Sequence, residues 1–316
     1  MKPKIVFMGT PEFAVASLDA IIEAGYEVGA VVTVPDKKSG RGMKVTFSAV
    51  KEYALSHGLT LLQPERLRDE EFIEELKSVG ADIFVVVAFR MLPQVVWGMP
   101  KMGTFNLHAS LLPQYRGAAP INWAIINGET ETGVTTFLLN EKIDEGRILM
   151  QATTPISTSD NAGTLHDRLA EMGRSIVVET LKGLSDGTLE PQLQKESEPL
   201  KPAPKIFKPD CVIDWHKSGK EIFDFVRGLS PYPAATTSMK DEKDGIVDMK
   251  IFEVEYEICE HKEPIGSIIT DNKKMLKIAV KDGFLVILSL QISGKKRITI
   301  NEFLRGYIVS HWKLNI

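Results

Sequence analysis

Cysteine is scarce: two residues, Cys211 and Cys259, in a chain of 316. They lie far apart and could close one disulfide at most, which excludes a disulfide-stapled scaffold and leaves free thiols in a reducing cytoplasm as the expectation. Metal-ligand spacing is also missing. The six histidines, His57, His108, His166, His216, His261 and His311, include no HxxxH pair, the cysteines form no CxxC, and no metal is expected. There is no P-loop, and Met8-Gly9-Thr10-Pro11 lacks the second and third glycines of GxGxxG, so neither a nucleotide cradle nor an NAD or FAD site is expected. An acyl-enzyme on either cysteine would need a neighbouring base that the sequence does not offer. No apolar run approaches the length needed to cross a bilayer, so no membrane partner is expected. Glu12 and Asp19 interrupt the one N-terminal stretch that could pass for a signal peptide, and it reads better as strand, turn and helix.

A surplus of positive charge is lacking too. The net charge is −4, which argues against a generally basic nucleic-acid coat but leaves room for local patches. Three stand out. Asp36 to Lys51 carries Lys37, Lys38, Arg41, Lys44 and Lys51; Lys201 to Lys220 carries five lysines, Lys205 among them; Gln291 to Ile316 carries Lys295, Lys296, Arg297, Arg305 and Lys313. Any one of them reads as a solvated face. Three together fit a polyanionic partner.

What is present divides into two styles of pattern. At 316 residues, two domains is the natural division. In the first half apolar strand runs (Lys4 to Met8, Glu27 to Val34, Asp82 to Ala88, Gly103 to His108) alternate with helical ones (from Pro11, with Thr10 as N-cap; Ala49 to Ser56; Asp69 to Val79). Such alternation predicts a mainly parallel, doubly wound α/β sheet. A hairpin-like pair around VTTFLLN and Ile148 to Gln151 and a helix over Ala162 to Gly183 follow. Asp186 to Pro209, rich in Pro, Lys, Glu and Ser, reads as a linker. Beyond it a helix over Lys217 to Leu229 precedes strand after strand, which predicts a small β-barrel.

The most informative stretch is Asn106 to Pro120, NLHASLLPQYRGAAP. Positions i and i+2 of a strand share a face, so Asn106 and His108 emerge side by side at the end of an apolar strand. Ligands of doubly wound sheets sit at the carboxyl ends of strands. An amide donor beside an imidazole suits acyl-group chemistry, where charge builds on oxygen while a proton leaves nitrogen. Read alone, His108 is a hydrogen-bonded structural histidine, Asp144 before Glu145-Gly146 a turn residue, and Arg116 a surface charge or a brace on loop carbonyls.

These residues resemble the methionyl-tRNA formyltransferases, and the resemblance spans nearly the whole chain. It is carried by FMGTPEFA, PDKKSGRG, ADIFVVVAF, NLHASLLPQYRGAAPINWAIINGETETGV and KIDEGRIL, then by IDW at Ile213 to Trp215, LSPYPAA and LSLQISGKK. It implies a Rossmann-like formyltransferase domain over 1–188, a linker over 189–208 and an OB-type tRNA-binding barrel over 209–316. It implies 10-formyltetrahydrofolate as formyl donor and initiator methionyl-tRNA as acceptor, in a cytoplasmic monomer. By the family's motifs, Asn106, His108 and Asp144 are the catalytic residues and Ser110, Leu111, Leu112 and Pro113 bind the folate. Arg41 meets the acceptor end, and Lys37, Lys38, Lys44, Lys205, Lys295, Lys296 and Arg297 are candidate tRNA contacts. The chain departs from the commonest pattern at TVPD and at NEKI, which bears on loop contacts alone. Two other readings stay open: a sugar-amine formyltransferase, which shares the NxH…SLLP…D core, and a non-catalytic RNA-binding protein. A purine-pathway formyltransferase would need only the first domain. Whether His108 acts as base or as electrophile is open in the sequence.

Overall fold

The computed structural model describes residues 2–39, 44–196, 199–243 and 245–315. In chain order the first elements are β1 (Ile5–Gly9), α1 (Glu12–Glu23), β2 (Val28–Val32), β3 (Lys37–Ser39), β4 (Lys44–Thr46), α2 (Ala49–Ser56), β5 (Leu61–Leu62), α3 (Glu70–Ser78), β6 (Ile83–Val87), α4 (Gln94–Trp97) and β7 (Thr104–His108). There follow α5 (Pro120–Ile126), β8 (Glu131–Leu138), β9 (Ile148–Pro155), α6 (Ala162–Ser185), α7 (Gly219–Leu229), β10 (Ala235–Lys240), β11 (Ile246–Ile258), β12 (Ile268–Thr270), β13 (Leu276–Val280), β14 (Gly283–Ile292), β15 (Ile298–Thr299), α8 (Ile300–Gly306) and β16 (Lys313–Leu314).

The chain packs as two units. One holds residues 1–117, 131–154 and 166–202; the other holds 118–130, 155–165 and 203–316. The first is built on a sheet of order β5-β2-β1-β6-β7-β8-β9. Its strands from β5 to β7 are parallel and β8 runs antiparallel to β7. The carboxyl ends of β1, β2, β6 and β7 therefore share one edge. β1 and β6 are buried at every residue, as strands covered on both faces must be. Phe7, Phe84, Phe105 and Phe137 are among the fully buried side chains, each contributing roughly 1.5–3 kcal/mol by leaving water. The Gly9-Thr10-Pro11 turn departs from expectation. Pro11, extended at φ −83° and ψ 177°, is itself the N-cap, and the helix begins one residue later, so Thr10 does not cap it.

The second unit is an antiparallel, nearly closed barrel of order β12-β13-β14-β11-β10-β16, with β15 on β14. Trp215, Ile222, Val226, Leu229, Ile251, Leu285, Ile287 and Phe303 lie in one buried cluster. The helices that close it start on reciprocal caps: Ser218 with Glu221 for α7, and Thr299 with Glu302 for α8. Two segments from earlier in the chain belong to this unit for particular reasons. Asn122 on α5 donates to the Gly228 carbonyl at 2.8 Å, and a Cβ at Gly228 would stand 2.6 Å from Ile126, so α5 and α7 meet only because that position has no side chain. Arg227 donates to the carbonyls of Ser157 and Asp160 at 3.0 Å, while its Nε pairs with the buried Asp224 at 2.8 Å. Among the described residues no helix is long and apolar enough to cross a membrane.

Candidate active site

β7 carries Asn106 and His108 on one face, as the two-residue period requires, with Asn106 half-buried and His108 buried. His108 Nε2 lies 2.8 Å from the carbonyl oxygen of Tyr115. A carbonyl can only accept, so Nε2 carries the hydrogen and the neutral ring presents Nδ1 as a lone pair. Nδ1 stands 3.9 Å from Asp144 Oδ2, too far for a direct hydrogen bond, with the carboxylate facing the ring. Asn106 Oδ1 is buried and has no hydrogen-bond partner in the protein. A buried acceptor left open is costly, and a ligand or a water can satisfy it.

Asp144 comes from the loop between β8 and β9, in the left-handed conformation with φ 53°. Its Oδ2 accepts from Gly117 N at 2.9 Å, which turns the carboxylate toward His108. Two residues on, Gly146 folds back onto β8 so closely that a Cβ would sit 1.6 Å from the Leu138 carbonyl oxygen. The loop is held from outside by Gln194. Its amide donates to the carbonyls of Asp144 at 2.7 Å and Gly146 at 2.9 Å, and its oxygen accepts from Arg116 Nη2 at 2.7 Å and Nε at 3.1 Å. Arg116 also reaches Glu196 at 2.9 Å and Glu145 at 3.7 Å. The expectation that Arg116 braces loop carbonyls needs correction: it braces Gln194, and Gln194 holds the carbonyls. The Arg116 N–H groups are taken up by the Gln194 oxygen and Glu196, and the Gln194 amide N–H groups are left to meet the carbonyls.

The SLLP segment is pinned as tightly. Ser110, fully buried, donates its hydroxyl to the Gln114 carbonyl at 2.7 Å. Thr135 donates to the Ser110 carbonyl at 2.6 Å and accepts from Leu112 N at 3.2 Å; Gln151 donates to the Leu112 carbonyl at 2.9 Å. Leu112 is buried, while Leu111 and Pro113 are half-buried. Gln194, Thr135, Gln151 and the Tyr115 carbonyl were not singled out in the sequence. Gln194 lies in a stretch whose composition reads as linker, and a main-chain carbonyl has no sequence signature at all.

The candidate nucleic-acid contacts are dispersed. Arg41 and the side chains of Lys38 and Lys44 lie outside the described residues; Lys37 is exposed at the start of β3. Lys205 is exposed, with Nζ 5.4 Å from the centre of the Phe207 ring. Lys295 and Lys296 are exposed, the former against the Tyr307 hydroxyl. Arg297, also exposed, bonds Glu253 at 2.7 Å and Ser289 at 2.8 Å. Lys208 and Lys250 line an open pocket of about 590 Å³ in the same unit, of mixed lining that includes Ile213, Met249, Asp248 and Gln291.

Known proteins bear directly on this arrangement. The sequence model of the family described as formyl transferase matches residues 3–181, and that of the formyl transferase C-terminal domain matches residues 205–308. The chain belongs to the formyl transferase family. It is 52% identical to the methionyl-tRNA formyltransferase of Bacteroides thetaiotaomicron over 99% of this chain and 98% of that one. Among solved structures, HypX from Aquifex aeolicus in complex with tetrahydrofolic acid matches with a TM-score of 0.64 at 19% identity, covering 97% of this chain and 48% of that chain. WlaRD, a sugar 3N-formyl transferase, matches with a TM-score of 0.63 at 21% identity, covering 94% and 100%. At those identities the two structures show the shared fold.

Proposed function

We propose that the chain transfers the formyl group of 10-formyltetrahydrofolate to the free amino group of methionyl-initiator tRNA. The observation that carries this reading is the convergence of the open Asn106 acceptor, the Nδ1 lone pair of His108 and the Asp144 carboxylate at one edge of the sheet. The full-length likeness to a methionyl-tRNA formyltransferase supports tRNA as the acceptor. The tetrahydrofolic acid in a protein of the same fold supports the donor class, and the unpaired Asn106 oxygen fits a ligand that brings an N–H to that spot.

The donor supplies a formyl carbon on a nitrogen leaving group. Asn106 gives an amide hydrogen to the formyl oxygen as charge builds there, and its Oδ1 accepts from the attacking amine. His108 takes the amine proton on Nδ1 and returns it to the departing nitrogen, so the proton count closes within the site. Tyr115, through its carbonyl, holds the ring in the tautomer that can act as base. Asp144 faces the imidazolium formed in passing and stabilises it. Ser110 to Pro113, fixed by Thr135 and Gln151, form a firm edge for the folate. The protein acts as a cytoplasmic monomer in this reading, with Lys205, Lys295 and Lys296 available to tRNA phosphates.

The deciding experiment supplies purified protein with 10-formyltetrahydrofolate and methionyl-initiator tRNA and follows N-formylmethionyl-tRNA. Asn106→Ala should lower kcat about 10²–10³-fold, the usual loss of one oxyanion donor. Formylation of an amino sugar with no product on tRNA would replace the reading with a sugar formyltransferase. A wild-type rate in Asn106→Ala would remove Asn106 from the chemistry.

A further inference from the structure

Lys51 counts among the cations of the first basic patch, yet the structure spends it elsewhere. It is buried at 9% exposure on the first turn of α2, and Nζ bonds both oxygens of Asp36, at 2.8 and 2.6 Å. The same ammonium lies 4.1 Å from the centre of the Phe47 ring. Asp36 and Phe47 are the residues immediately before β3 and immediately after β4. The ladder between those strands begins with Lys37 opposite Thr46. One buried charge thus grips both ends of the basic hairpin, just outside its first rung.

The surroundings reinforce that grip. Gln63 donates to Asp36 Oδ1 and to the Val34 carbonyl, each at 2.9 Å. The hydroxyls of Thr33 and Ser48 meet at 2.8 Å, and Ser48 also caps α2 by accepting from Lys51 N at 3.1 Å. A two-stranded ribbon of three residues a side has little stability of its own, so its direction depends on how its base is held. That base follows the carboxyl end of β2, on the sheet edge where Asn106 and His108 emerge. In the order β2-β1-β6-β7 the two places are three strand spacings apart, roughly 14 Å. A ribbon whose base is fixed loses less entropy on meeting a polyanion than one free to swing.

We infer that Lys51 is a positioning residue for the tRNA acceptor, locking the base of the β3–β4 hairpin through Asp36 and Phe47 rather than contacting phosphate itself. This rests on the formylation reading above. A lysine meeting phosphate directly would tolerate loss of Asp36, whereas a lock would not.

The test compares wild type, Lys51→Met, Lys51→Arg and Asp36→Asn in two measurements. The first is amide hydrogen exchange over peptides spanning residues 37–46, which needs no substrate. Lys51→Met and Asp36→Asn should speed exchange there about tenfold, as expected on losing a charge-assisted hydrogen bond, and Lys51→Arg should restore most of the protection. The second is steady-state formylation, in which KM for tRNA should rise about tenfold while kcat and KM for the folate stay within about twofold. Unchanged exchange in Asp36→Asn overturns the lock, and that variant decides the matter if Lys51→Met fails to fold. A tRNA KM that rises in Lys51→Met and not in Asp36→Asn overturns it as well, because Lys51 then acts on phosphate. Wild-type protein that makes no product on tRNA defeats the formylation reading instead, and the exchange data still decide the lock.

Discussion

The side-chain amide of Gln194 donates to the carbonyl oxygen of Asp144 over 2.7 Å, across 50 residues of chain. It makes a second bond to Gly146 and receives two from Arg116, so the left-handed loop that carries the carboxylate is tied to a residue with no chemistry of its own. β7 places His108, while this tie and the Gly117 amide place Asp144 3.9 Å from it.

Gln194→Ala should therefore behave as an active-site variant while leaving the fold intact. Small misplacements of a catalytic group can cost about a hundredfold, so kcat/KM for formylation should fall by roughly 10–100-fold. Circular dichroism and thermal melting report whether the fold survives. A full wild-type rate would mean that Asp144 keeps its place without the tie.

Acid should loosen the barrel at a defined turn. Asp271 Oδ1 accepts from the amides of Lys273, Lys274 and Met275 at 2.8, 2.8 and 2.9 Å. Those hydrogen bonds favour the carboxylate and hold its pKa down at about 2, against an ordinary 3.8. A depressed carboxylate stabilises the folded state fully above its unfolded value and loses that contribution as pH falls through the folded one. Asp271→Asn should thus melt lower than wild type at neutral pH, and the gap should close between about pH 4 and pH 2. A gap independent of pH across that window would rule out the carboxylate as its cause.

The barrel cations should separate by their partners. Lys295, Lys296 and Arg297 are all exposed, but among the described residues Arg297 alone of the three is tied to a carboxylate, binding Glu253 as well as Ser289. Replacing Lys295 and Lys296 with Gln should weaken tRNA binding and flatten the log–log salt dependence by up to about 2, since each phosphate contact contributes about 0.9. Arg297→Gln should lower thermal stability with a smaller change in slope. Equal slope changes in both variants would show Arg297 leaving Glu253 for the nucleic acid.

Local pattern made much of this molecule legible. The β-branched, apolar runs of β1 and β6 read as buried strands, and the period of two put Asn106 and His108 on one face at the correct end of β7. The short pieces escaped. β3 and β4 hide in a run of charges and glycines, and α5 hides in what reads as a motif tail. Lys51 counted as one more cation because charge is visible in a sequence and burial is not. Thr10 looked like a helix cap because its neighbour was assumed to start the helix.

The sequence alone determined which groups are available and where along each strand they emerge, since alternation and helical spacing follow from local backbone geometry. Tertiary structure decided what those groups do. The tautomer of His108 depends on a carbonyl of Tyr115, the reach of Asp144 on Gln194, and the role of Lys51 on Asp36 and Phe47. Apart from the Phe47 ring, four residues from Lys51, each is a contact between residues apart along the chain or with an atom every residue shares, and only packing brings such atoms to hydrogen-bonding distance.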